Sequence, residues 1–344
     1  LRQAAKRNDL PAILLLAEFY SRGAYVEPDL REAYVWYRKA ADLGDGRAQF
    51  IVGRLCATGV GVVANLKESA RWFLQSAEKG DAIAAHNIAC LFARGHGVEK
   101  DAAAAAKWFK VAAEKGVAAS QLALARALLS GEHGMQDPEA ARTWLEKAVE
   151  AGNHEAKVSL AYLYLNAETV PRDRSNAERL LQEAADAGFA PSARSLGMLY
   201  SGAFDGPANF AEAARWYRIG AEAGDAESQY RLALMLRVGK EVKRSPEEAA
   251  EWLRRAAATG HSNAAFELGV AFCIGDGAPL DVAEGARLYA AAANSGHPLA
   301  MFNWGVMLRD GVGVGADVEA GQTWIEKAAE AGLAQARRVL EHAN

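Results

Sequence analysis

The chain has 344 residues, 51% of them apolar and 24% charged, with a net charge of −4 at pH 7. So large an apolar share excludes a disordered chain, and the acidic balance gives no electrostatic footing for nucleic acid. No apolar run approaches the roughly 18 residues of a membrane-crossing helix, so no membrane insertion is expected.

The first eight residues, LRQAAKRN, read as the end of a helix, with Asn8 where a stop glycine would stand. A period of 36 residues then begins and never slips. Full repeats are expected at 9–44, 45–80, 81–116, 117–152, 153–188, 189–224, 225–260, 261–296 and 297–332, followed by a capping helix over 333–344. They make up a single repeat domain, 1–344. Such a period takes precedence over every local motif, because missing it misassigns the whole fold.

Each repeat predicts two helices. Asp9, Asp45, Asp81, Asn153 and Asp225 are positioned to cap first helices. Inside the first helix small residues and leucines recur at steps of three and four, as in Ser192, Leu196, Gly197 and Tyr200. The second helix starts at Asp29, Asn65, Asp101, Asp137, Asp173, Asn209, Ser245, Asp281 or Asp317, all residue types whose side-chain oxygen accepts from free N–H groups at a helix start. Glu32, Glu68, Glu212, Glu248 and Glu284, three positions on, predict reciprocal capping boxes. Pro138 and Pro246 suit the first helical position. Seven residues after the cap comes Trp36, Trp72, Trp108, Trp144, Leu180, Trp216, Trp252, Leu288 or Trp324, expected in the core. Eight further on, the glycines from Gly44 to Gly332 provide a left-handed stop. Two such helices bury their remaining faces only by stacking on the next pair. The expected fold is all-α: a right-handed α-α superhelix (solenoid) of about nine 36-residue helix-turn-helix repeats, on the order of 100 Å long at roughly 10 Å per helix layer.

The consensus A-x-x-x-L-G-x-x-Y-x-x-G-x-G-V, D-x-x-x-A-x-x-W, A-A-x-x-G closely resembles the Sel-1-like repeat, a relative of the tetratricopeptide repeat. Residues 261–296 and 297–332 follow it nearly throughout. The turns NAETVPRD (166–173), SGAFDGPAN (201–209) and RVGKEVKRS (237–245) lack its Gly-x-Gly, so their paths are expected to differ. The resemblance implies a non-catalytic protein–protein interaction scaffold or adaptor whose partner is a protein or peptide. As an alternative it implies a bacterial envelope, exopolysaccharide or secretion-system assembly factor, or a regulator of signalling. The bacterial periplasm or secretion is favoured over the cytoplasm. The chain starts at Leu1 rather than methionine, which predicts a fragment or processed form with its native N-terminus missing.

Motifs for chemistry dissolve into the repeat. GVGVGA (311–316) and GVGVVA (59–64) match a dinucleotide fingerprint, which requires a strand before it. Here a helix precedes each, and the expected role is a turn, with Gly311 ending one helix and Asp317 starting the next. His86, His96, His133, His154, His261, His297 and His342 are expected in solvated or capping roles; His261 and His297 share a slot in adjacent repeats. Cys56, Cys90 and Cys273 form no C-x-x-C pair and read as buried thiols. No catalytic, cofactor-binding or metal-ligating residue is expected.

In related helical repeats the first helices line the concave wall. The slots two before, two after and five after the leucine slot would face a groove. They hold Phe50 and Arg54; Leu122, Arg126 and Leu129; Val158, Tyr162 and Leu165; Arg194 and Met198; Tyr230, Leu234 and Arg237; Phe266 and Val270; and Phe302, Val306 and Arg309. Aromatics, Met and Arg are the types enriched where partners anchor, and these slots are nearly free of acids. A second reading has the phenylalanines cover the adjacent helix instead.

Overall fold

The computed structural model describes residues 1–131, 136–166 and 170–343, without the side chains of 342 and 343. Among the described residues every regular element is an α-helix, and the helices build a repeat solenoid, most of them thirteen residues long. Contacts divide the chain into two compact units, Leu1–Arg172 and Asp173–Asn344. The first holds α1 (Arg2–Lys6), α2 (Leu10–Arg22), α3 (Leu30–Asp42), α4 (Gly46–Thr58), α5 (Leu66–Glu78), α6 (Ala82–Arg94), α7 (Ala102–Glu114), α8 (Ala118–Ser130), α9 (Pro138–Glu150) and α10 (His154–Asn166). The second holds α11 (Arg174–Asp186), α12 (Ala190–Tyr200), α13 (Phe210–Glu222), α14 (Ala226–Val238), α15 (Pro246–Ala258), α16 (Ser262–Ile274), α17 (Val282–Asn294), α18 (Pro298–Asp310), α19 (Val318–Glu330) and α20 (Ala334–Ala343). From α2 on, even-numbered helices are the first helix of a repeat and odd-numbered ones the second. Within each unit a helix packs on its neighbours in sequence.

The caps follow the sequence with one exception. Asp29, Asn65, Asp101, Asp137, Asp173, Asn209, Asp281 and Asp317 each accept from a backbone N–H in the first turn of a second helix. Ser245 makes no such bond, and α15 starts on the fixed φ of Pro246 instead. Asp9, Asp45, Asp81, Asn153 and Asp225 cap first helices as expected. His261 and His297 do the same through Nδ1, which accepts from Ala264 and Ala300 N–H at 3.1 Å.

The reciprocal capping boxes do not form. The N–H groups of Asp29, Asn65, Asn209, Ser245 and Asp281 are already donated to carbonyls of the first helix in the same repeat, those of Tyr20, Cys56, Tyr200, Leu236 and Phe272. That bond ties the two helices of a repeat together and frees the glutamate. Three glutamates accept from the indole N–H one turn on: Glu32 from Trp36, Glu68 from Trp72 and Glu248 from Trp252. Glu68 and Glu248 also hold a guanidinium of the preceding repeat, Arg38 and Arg218.

Packing within a repeat turns on one small residue against one large one. A Cβ at Gly53 would lie 2.8 Å from the Phe73 ring, and one at Gly269 would lie 2.9 Å from Tyr289. Between repeats, buried Gln49, Gln121 and Gln229 donate to the carbonyls of Ala41, Ala113 and Ala221, near the end of the preceding second helix. All the stop glycines have positive φ, and Asn8 (φ 65°) replaces them before the first repeat.

In the GVGVGA turn, Gly311 (φ 70°) ends α18 and Asp317 caps α19. Gly313 lies so close to the second helix of the preceding repeat that a Cβ would come 2.6 Å from the Val282 carbonyl oxygen. Of the aberrant turns, SGAFDGPAN diverges as expected, whereas RVGKEVKRS keeps the regular path. α12 stops at Tyr200, after eleven residues, and Ser201 is right-handed where α2, α4, α6, α8, α14, α16 and α18 end on a left-handed glycine. In RVGKEVKRS the missing glycine is replaced without a change of path, because Glu241 takes the left-handed φ of 57° in the slot where Gly313 has 70°. Residues 167–169 of NAETVPRD lie outside the described residues, as do His133 and the His342 side chain.

Candidate protein-interaction surface

On the first helices one stripe is buried. Val52, Ile88, Leu160, Leu196, Leu232 and Leu268 are at most 3% exposed. The slots named as groove-facing lie on the opposite side, and their exposure varies. Arg54 and Arg126 are exposed; Phe50, Tyr162, Arg194, Met198, Tyr230, Arg237, Phe266 and Arg309 are half-buried; Phe302 is buried. Leu122 and Leu165 are buried, whereas Leu129, Val158, Leu234, Val270 and Val306 are half-buried.

The aromatic members touch neighbouring elements. In the first unit the Phe50 ring is 6.0 Å from Phe73 on α5. In the second, Tyr230 lies 5.0 Å from the His261 ring and Phe266 stacks 4.6 Å from His297, each pair spanning two adjacent first helices. Phe302 belongs to the cluster that α20 covers, with Ile325 and Ala336. Helix coverage therefore accounts for Phe302 and most of the Phe50 and Phe266 surfaces, and leaves a smaller part of each of those two rings open.

The expectation of an acid-poor face needs correcting. Arg126 pairs with Glu155 at 2.8 Å, Arg194 with Asp225 at 3.0 Å and Arg237 with Glu267 at 2.6 Å, in each case on the next first helix. Arg309 pairs with the adjacent Asp310. Of these arginines only Arg54 makes no ion pair among the described residues. The slot count follows one helix at a time, while these acids flank the slot on the neighbouring helix.

Sequence reasoning passed over a polar cluster on the same face. His86 Nδ1 is 2.8 Å from Ser120 Oγ, its Nε2 is 3.6 Å from Cys90 Sγ, and its ring is 5.7 Å from Phe109. Burial pushes the His86 imidazole below its ordinary pKa and the Cys90 thiol above its own. Both are thus neutral near pH 7, a hydrogen-bonded packing pair rather than a thiolate–imidazolium nucleophile. The signal was available, since His86 and Cys90 occupy the slots two before and two after the leucine position. Among the described residues no three metal-ligating side chains converge, and no helix is long and apolar enough to cross a membrane.

The Sel1 repeat profile matches nine consecutive stretches: 10–45, 46–81, 82–117, 118–153, 154–189, 190–225, 226–261, 262–297 and 298–333. The chain belongs to the Sel1 repeat family. Its Sel1 repeats are shared with a protective antigen present in uropathogenic Escherichia coli strains and displaying an SLR fold. That structure is 30% identical over 97% of this chain and 72% of the other, at a TM-score of 0.72. A Sel1 repeat protein from Oxalobacter formigenes is 28% identical over 96% and 94%, at 0.73. A STAND signal-transduction ATPase from Pyrococcus horikoshii with a tetratricopeptide repeat sensor is 15% identical over 97% of this chain and 54% of the other. At a TM-score of 0.54 it shows the shared tetratricopeptide-like fold alone. No curated protein is significantly similar in sequence. Sel1 repeat proteins are generally non-catalytic scaffolds, and the tetratricopeptide-like repeat is typical of protein–protein interaction.

Proposed function

We propose that this Sel1 repeat protein is an adaptor whose first-helix face binds an extended or helical segment of a protein partner. The observation that supports the reading most is the presence of half-buried rings on the first helices of each unit. Phe50, Tyr162, Tyr230 and Phe266 stand on the side of the first helix away from its buried stripe, fixed in position yet open on one side. A ring already ordered loses little entropy when a partner covers its free face, which is why such residues dominate binding energy. The ion pairs between successive first helices give the segment a polar track of both signs, so an acid-rich or a base-rich segment is equally disfavoured.

The test is a random-peptide display selection on the full chain, followed by Tyr230→Ala with Phe266→Ala and by Arg54→Glu. Loss of at least tenfold in affinity for some selected peptides in one or other variant, with melting within a few degrees, is expected. Peptides indifferent to both, but lost when Trp108 and Trp144 on the second helices are changed to alanine, would contradict the placement. Export from a bacterial cell is part of the same proposal and rests on the likeness to the protective antigen. Recovery of the native protein only from the cytosol of its host would refute it.

A further inference from the structure

The joint between the third and fourth repeats lacks a side chain that most other joints have. In three joints a large residue of the following first helix packs with the large residue of the preceding second helix, while the eighth repeat carries a buried alanine there, Ala271. Leu91 shares a core cluster with Phe73, Met235 with Tyr217, and Met307 with Tyr289. In the fourth repeat that slot is Ala127, and one turn earlier Ala123 stands where the third and ninth repeats have Asn87 and Asn303. What remains is an open cavity of about 680 Å³ beside Phe109, walled by α6, α7 and α8. Its volume falls in the roughly 300–1,000 Å³ range of ligand pockets.

The lining is mostly alanine and includes no carboxylate, but Lys100 and Arg126 both line it. Lys100 is exposed and makes no ion pair among the described residues. Arg126 pairs with Glu155 across an exposed gap, where the pair is weak enough to exchange partners. Arg126 is also a member of the first-helix face, so the cavity opens onto the surface proposed above.

We propose that this cavity is the anchor site of the scaffold. It seats a bulky apolar side chain (Leu, Met, Phe or Trp) of the bound protein segment, with an Asp or Glu of that segment held by Lys100 and Arg126. The proposal rests on the first-helix reading and narrows it to one joint and one partner chemistry: charge and shape together select an apolar residue next to an acidic one.

Ala127→Leu restores the leucine that the second, third, fifth and sixth repeats carry in this slot, at Leu55, Leu91, Leu163 and Leu199. It therefore blocks the cavity while preserving the fold, and its melting temperature should rise. In the peptide selection on the full chain, a class of peptides should emerge with a large apolar residue within two positions of Asp or Glu. Their affinity should fall at least tenfold on Ala127→Leu and severalfold on Lys100→Glu. If Ala127→Leu melts lower than the parent, Ala123→Asn replaces it in the same assay. Peptides that bind the filled variant as tightly as the parent would overturn the anchor site, and so would failure of the apolar-acidic class to enrich. Should such peptides still lose affinity on Tyr230→Ala with Phe266→Ala, the first-helix reading survives and only the cavity assignment falls. Decanoate that binds in the cavity more tightly than any selected peptide would assign it to a lipid and equally overturn the proposal.

Discussion

Tyr25 and Glu241 take left-handed φ values of 64° and 57° in the turn slot that Gly61, Gly97, Gly277 and Gly313 occupy elsewhere. A side chain in that region costs about 1–2 kcal/mol, while glycine costs about 0.5–1 kcal/mol more unfolded-state entropy. Glu241→Gly is therefore expected to stabilise the chain by about 0.5–1 kcal/mol, read by urea denaturation. Gly313→Val runs the other way, because it places a β-branched residue at positive φ against the Val282 carbonyl; a loss above about 2 kcal/mol is expected. His297 carries a pH dependence. Its Nδ1 accepts the cap bond only when unprotonated, and burial holds its pKa below the ordinary value. The unfolded chain takes up that proton near pH 6.5 and the folded chain only at lower pH, so stability is whole above about 6.5 and falls as pH drops through that window. Melting compared at pH 7.5 and 5.5 should show a smaller loss for His297→Asn, whose side chain caps without titrating. An equal loss would remove His297 from the explanation.

Along each element the caps and stops were legible, because a cap requires an Asp, Asn or His oxygen or nitrogen at one position and a stop requires glycine at another. What pairs with what was less legible. The spacing Asp-x-x-Glu fits a capping box, yet the cap N–H of Asn209 goes to Tyr200 of the other helix. A one-dimensional pattern cannot reveal a competing acceptor that only tertiary packing delivers. The released glutamate serves the tryptophan four residues later in three repeats: Glu248 accepts from Trp252 and from Arg218 at once. These contacts hold Glu248 below the ordinary carboxylate pKa, the Arg218 guanidinium foremost. Because the pair is partly solvated, Glu248→Ala should cost only about 1 kcal/mol in a denaturant titration. Gln229→Ala should cost about 1 kcal/mol, since the Ala221 carbonyl loses its link to the next repeat but keeps the Gly224 N–H as a donor.

For the molecule as a whole, stacking is the source of stability, and its legibility in sequence was high because a period constrains every repeat at once. The candidate face was legible only in part. The stripe of aromatics followed from helix geometry, whereas the acids beside its arginines and the missing side chain at Ala127 became visible only when neighbouring repeats were placed together. End effects belong to this scale. Deleting residues 334–344 uncovers Phe302, Ile325 and Ala329. It should therefore loosen α18 and α19 before the rest of their unit, read as early hydrogen exchange there. The central claim, that the first helices are the binding face, is tested most directly by cross-linking. A selected peptide with a photoreactive phenylalanine analogue at its apolar position is bound to the full chain, irradiated and mapped by mass spectrometry. Adducts on α6, α8 and the cavity-lining side of α7, around Ala93, Ala127 and Phe109, are the predicted result. Adducts confined to the outer residues of the second helices, such as Trp108, Lys107 and Trp144, would contradict it.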